Sequence, residues 1–134
     1  MTAEIALLIG RIIFGGYFAV SGLNHFMKTE QLSGWAEHKG MPRAKLMVYI
    51  SGLMLLFGGL GIAVGAYPVV SIALLGVFLA VVTPWFHDFW SLEGEEKQNQ
   101  MTHFMKNLAL FGALLTLLAA DWAVYSVGMT LGVL

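Results

Sequence analysis

Cysteine is absent from these 134 residues and charge is scarce, with Asp, Glu, Lys and Arg together making up 11% of the chain. Without thiols there is no disulfide exchange, no cysteine-ligated iron–sulfur cluster and no cysteine zinc site. A net charge of −1 leaves no basic field for nucleic acid and no acidic tail. A soluble domain covers itself with polar side chains and is typically roughly 25% charged. This chain has too few: hydrophobic residues are 58% of it and its mean hydropathy is +0.77. The composition is that of an integral membrane protein, and the length has room for one domain. Neither an internal repeat nor a low-complexity segment is apparent.

What the chain does have is long apolar runs. The first, Ile5 to Phe26, has 22 residues and one charge, Arg11. At about 1.5 Å per residue it exceeds the roughly 30 Å hydrocarbon thickness of a bilayer. A signal peptide fits poorly, because Glu4 is the only early charge and the run outlasts an apolar signal core of about 7–15 residues. At 100° per residue Arg11, Gly15, Phe18, Gly22 and His25 fall in one narrow stripe, with Tyr17, Ser21 and Asn24 beside it. A charge, two glycines and an imidazole on one face predict that this face meets another helix.

The second run, Leu46 to Ala66, is uncharged, and its glycines predict a close-packed membrane helix. Tyr67-Pro68 then allows only a very short turn, so the third helix, over residues 68–87, lies antiparallel beside the second. Pro84 is placed to kink its last turn or end it early. For the fourth helix two registers compete, one from Met101 to Ala120 and one from Leu108 to the C-terminus. The first is preferred because it sets His103 and Lys106 at one boundary and Asp121 at the other, 18 residues or about 27 Å away. Residues 121–134 then form an apolar tail. Between the first two runs, Met27 to Lys45 is polar, with a turn at Gly40 and Pro42. Its centre has the character of a short helix on the membrane surface, anchored by Trp35.

The reading is therefore all-α: an integral membrane, antiparallel four-helix bundle in a single domain over residues 1–134. Such a topology brings His25, His38, His87 and His103 to one end, together with Asn24, Asp88, Lys106 and Asn107. Six of the seven Lys and Arg residues lie there too, which by the positive-inside rule makes that end cytoplasmic and puts both termini outside. Arg11, buried near the other end, needs a partner. Asp121 projects from the same face of the fourth helix as His103 and Asn107, and Arg11 is expected to approach Asp121 or a carbonyl near it. The alternative is that Arg11 snorkels to the headgroups.

His87-Asp88 from the third helix and His103, Lys106 and Asn107 from the fourth, with Asn24 and His25 nearby, are the candidate ligand site. Imidazole titrates near neutrality, and Lys106 with Asn107 can hydrogen-bond a quinone carbonyl or an anion. Alternatively the same groups cap helix ends and satisfy one another. Haem ligation by two histidines is disfavoured because His87 and His103 stand near helix ends and not mid-bundle. No ligand spacing recurs that would build a metal site. The eight methionines are read as bundle filler.

Four segments, LLIGRIIFGGYFAVSGLNHF, SGLMLLFGGLGIAVG, FHDFW and HFMKNLALFGALL, together resemble the DoxX family of membrane proteins. The resemblance runs over nearly the whole chain, and FHDFW followed by HFMKN is its most specific part. It implies a four-helix bundle in a prokaryotic plasma membrane. The family takes its name from a subunit of an archaeal thiosulfate:quinone oxidoreductase, while other relatives act in cargo export or receptor assembly without redox chemistry. Many members carry a lysine near the end of helix one, where this chain has Asn24-His25. Many also carry a glutamate within helix two, where Ser51 to Gly65 has no carboxylate. A mechanism that needs that glutamate is absent here.

Two functions follow as expectations. One is a membrane subunit of a quinone-linked oxidoreductase, without an intrinsic cofactor, working with a soluble or membrane redox partner. The other is a non-enzymatic scaffold or assembly factor for a partner protein. A small transporter is a third, for which four short spans leave little pathway unless the protein forms a homo-oligomer. The lipid bilayer is the partner common to all.

Overall fold

The computed structural model describes residues 2–120. Among them the chain folds into five helices: α1 Thr2–Met27, α2 Thr29–His38, α3 Ala44–Val64, α4 Pro68–Phe86 and α5 Gly94–Leu118, with a 3-10 turn at Phe89–Ser91. All but α2 are long and apolar enough to cross a membrane. Their outward faces carry Ile13, Phe57, Val69 and Leu115, each more than half exposed, as suits helices whose solvent is lipid.

Glycine decides how the bundle closes. In α1 the buried face is Arg11, Gly15, Phe18, Ala19 and Gly22, four of which belong to the stripe read from the sequence. A Cβ at Gly22 would stand 2.7 Å from the Gly52 carbonyl oxygen, and one at Gly59 would stand 2.5 Å from the Ala19 nitrogen. Backbones this close exchange van der Waals contact along their whole length, which is the main attraction available between helices in lipid. Gly58 and Gly61 do the same for α3 against α4, where Leu75 and Ser71 fill the space. The helices pack in the order α1, α3, α4, α5, with α2 against α3. Phe18, Leu55, Ile62, Ile72, Leu75, Leu79 and Leu114 form the core.

The α3–α4 turn is set by two left-handed residues, Gly65 at φ 73° and Tyr67 at φ 46°. The Ala66 N–H donates back to the Gly61 carbonyl at 2.8 Å, and Pro68 opens α4, where its missing N–H is no loss. Pro84 does not end α4, which runs on to Phe86.

Arg11 lies at the end of the bundle opposite the histidines and is 1% exposed, so it does not snorkel. Its Nε donates to the Ile62 carbonyl at 3.2 Å and Nη2 to the Ala63 carbonyl at 3.5 Å. These belong to the last turn of α3, at the negative end of the helix dipole, where the Ile62 carbonyl also accepts from the Gly65 N–H at 3.3 Å. Asp121 and the tail lie outside the described residues.

One sequence expectation needs correction. The fourth long helix begins at Gly94, not Met101, and stops at Leu118. Residues 94–100 are polar, but Glu95, Glu96, Lys97, Gln98 and Gln100 are good helix formers, and Glu95 and Glu96 meet the positive end of the helix dipole in the first turn. His103 is therefore about two and a half turns inside α5 and not at its boundary. The short helix expected between the first two spans is present as α2, and it packs back on α3, burying Thr29, Ser33 and Ala36.

Candidate functional site

Two cavities lie in the half of the bundle that carries the histidines. The smaller, about 170 Å³, is lined by Tyr17, Ser21 and His25 of α1, His87 just past α4, and Lys106, Asn107 and Leu110 of α5, over a floor that includes Phe18, Leu55 and Leu79. Tyr17, Ser21 and His25 follow one another at four-residue steps, so one face of α1 supplies all three. Lys106 and Asn107 reach the cavity from the facing side of α5.

Hydrogen bonds hold these groups in place. His25 Nδ1 lies 2.8 Å from the Ser21 carbonyl, which can only accept, so the proton sits on Nδ1 and a neutral ring presents Nε2 as an acceptor. His87 Nδ1 lies 2.8 Å from the Gln100 side-chain oxygen, and the His87 ring stacks on His103. Lys106 Nζ donates to the Tyr17 hydroxyl at 3.3 Å, bridging α1 and α5. Asn107 is 7% exposed and lines the cavity, yet its amide has no hydrogen-bond partner among the described residues. An amide that lines a cavity without a protein partner has its donor and acceptor available to whatever occupies the cavity.

The larger cavity, about 350 Å³, lies between α2, α3 and α4. Leu32, Trp35 and Ala36 of α2 border it on one side, and Met47, Met54, Val77 and Val81 belong to its α3 and α4 walls. His25, Ser51, Trp35 and His87 supply its few polar atoms. The two cavities share His25, Phe78, Val82 and His87, so these four side chains form a common wall. The His25 and Phe78 rings meet edge to face at 6.0 Å.

Of the residues singled out in the sequence, His25, His87, Lys106 and Asn107 converge on the smaller cavity. His103 reaches it only through its stack on His87. Asn24 lines neither cavity. Asp88 turns away: its Oδ1 accepts from Lys39 Nζ at 2.7 Å and its Oδ2 from the Ser91 hydroxyl at 2.8 Å. Tyr17 and Ser21 were legible beside the α1 stripe through their spacing to His25, whereas nothing local marks Gln100 or Lys39. No three His, Cys, Asp or Glu side chains among the described residues gather as a metal site.

A DoxX family model matches residues 6–88, which spans α1 to the end of α4 and stops at Asp88. No curated protein and no solved structure matches the chain.

Proposed function

The chain belongs to the DoxX family, and on that premise we propose that this multi-pass membrane protein is the quinone-binding subunit of an oxidoreductase. The ring of the quinone occupies the smaller cavity. Asn107 is the observation that carries the reading, since this largely buried residue lines the cavity and its amide bonds to no other described residue. An amide N–H and the Lys106 ammonium are donors suited to a quinone carbonyl, and Tyr17 and Ser21 add hydroxyls that donate or accept.

Conversion of a quinone to a quinol takes two electrons and two protons. The electrons come from a partner subunit that holds a redox centre, and the protons arrive at the histidine-rich end. In this reading the protein sits in the plasma membrane with that end facing the cytoplasm, following the placement of Lys and Arg.

Titration of the detergent-purified protein with a short-chain benzoquinone tests the proposal. Asn107→Leu and Lys106→Ala should each weaken binding by about tenfold, the loss expected when a hydrogen bond to a buried or charged group is removed. If wild-type protein retains no quinone and neither substitution changes binding, the proposal falls, and the scaffold function takes its place.

A further inference from the structure

We propose that a single amphiphile spans both cavities, with its ring among Lys106 and Asn107 and its isoprenoid chain passing between His25 and His87 into the larger cavity beneath α2. This rests on the quinone reading and adds what that reading leaves open, the location of the chain.

Three observations lead to it. First, the cavities are adjacent and share His25, Phe78, Val82 and His87 as a wall. Each histidine is tied through Nδ1, His25 to the Ser21 carbonyl and His87 to Gln100, so both rings are held in place at the boundary between the two cavities. Second, the larger cavity is apolar and contains Met41, Met47 and Met54, whose unbranched thioethers adapt to an irregular, methyl-branched chain. Third, the cavity borders the lipid side of the bundle, because lining residues Ile50, Val77 and Val81 are 42%, 55% and 46% exposed. A chain can therefore leave toward the bilayer between α3 and α4 without crossing water.

The aqueous end is covered. Helix α2 lies over the cavity, and its end is fastened to the α4 end by the Lys39–Asp88 ion pair and by the Trp85 indole N–H donating to the Lys39 carbonyl at 2.8 Å. Lysine 39 also lies over the Trp35 ring, 5.4 Å from its centroid. An apolar chain under this cover is shielded from water and open to lipid.

The test uses full-length protein in lipid nanodiscs and two photoreactive benzoquinones, one with a diazirine on the ring and one with a diazirine at the chain end. Mass spectrometry maps the crosslinks. The ring probe should label α1 and α5 around Tyr17 and Lys106, and the chain probe should label Met47, Met54 or Val81. Excess tailless benzoquinone should remove both labels if one molecule spans the two cavities. Val81→Trp, at the exposed mouth, should cut chain labelling by at least about fivefold and leave ring labelling intact. Met54→Trp provides the same test from inside the cavity should Val81→Trp misfold.

Chain labels spread over outward-facing residues such as Ile13 and Leu115, with ring labels still in the smaller cavity, would overturn the inference and leave the quinone reading standing. Chain labels in the larger cavity that resist the tailless competitor would mean that the chain enters it without the ring seated in the smaller cavity, as any lipid tail would, and the one-molecule inference fails. Absence of both labels without any competitor would remove the quinone reading itself.

Discussion

The imidazoles of His87 and His103 stack with their centroids 5.2 Å apart and 23° between their planes. Only His87 lines the cavities; His103 stands behind it, exposed, on α5. The pair therefore has an inner and an outer member. His87→Ala should weaken benzoquinone binding about threefold to tenfold, the range for one lost hydrogen bond or packed ring. His103→Ala should change it by less than about twofold, since its contact with ligand is indirect. Equal losses for the two would show that the stack, and not the inner ring, is what the ligand senses.

A second expectation concerns the α1–α3 seam. A Cβ at Gly59 would lie 2.5 Å from both the Ala19 nitrogen and the Gly15 carbonyl oxygen, atoms of backbone that cannot swing away. Gly59→Val should lower stability in detergent by about 1–3 kcal/mol or more, read from the thermal midpoint. Gly16 has open space around it, and Gly16→Ala should leave the midpoint unchanged or raise it slightly. A silent Gly59→Val would mean that the two helices are not in van der Waals contact there.

These two sites differ in how far the sequence disclosed them. Glycines and a lone arginine stand out within an apolar run, and the 3.6-residue period then puts Arg11, Gly15, Phe18 and Gly22 on one buried face. Antiparallel topology likewise collects all the histidines at one end. Pairings between distant elements leave no such trace. Lys39 finds Asp88 across 49 positions, and Asp88 is thereby drawn off from a cavity that its neighbour His87 enters. The larger cavity was invisible for a different reason: its lining comes from four helices and reads, residue by residue, as ordinary apolar membrane sequence. The start of α5 was missed because polar residues 94–100 carry no apolar period, although their intrinsic preference is helical.

Arg11 gives a prediction at the far end of the bundle. Its guanidinium satisfies carbonyls at the α3 C-terminus, so Arg11→Ala should cost about 1.5–3 kcal/mol, the range for a charged hydrogen bond. Arg11→Lys should recover only part of this, because an ammonium cannot present the planar fork. A double-mutant cycle with Asp121→Asn tests the proposed pairing of these two charges. A coupling of about 1 kcal/mol or more supports it, and additive effects dismiss it.

The lack of native cysteine makes the orientation directly measurable. Ser91→Cys reports on the histidine end and Glu4→Cys on the opposite one. With a membrane-impermeant maleimide added outside intact cells, Glu4→Cys should react and Ser91→Cys should react only after permeabilisation. The reverse pattern would place the histidine end, and the supply of protons, outside the cytoplasm.

The ion pair between Lys39 and Asp88 is partly buried, its side chains 17% and 27% exposed, and it joins the end of α2 to the chain leaving α4. Such a pair is worth about 0.2–1 kcal/mol, too little to govern the stability of the bundle. It is enough to bias a single short helix held by few other tertiary bonds. Lys39→Ala should therefore leave the thermal midpoint nearly unchanged while amide exchange in residues 29–38 rises about threefold to fivefold, the factor matching about 0.6–1 kcal/mol. High salt should act on the wild type in the same direction and have little further effect on the variant. Unchanged exchange in α2 would mean that the helix is held by its packing of Ser33 and Ala36 on α3, and that Lys39 does not fasten the cover over the cavity.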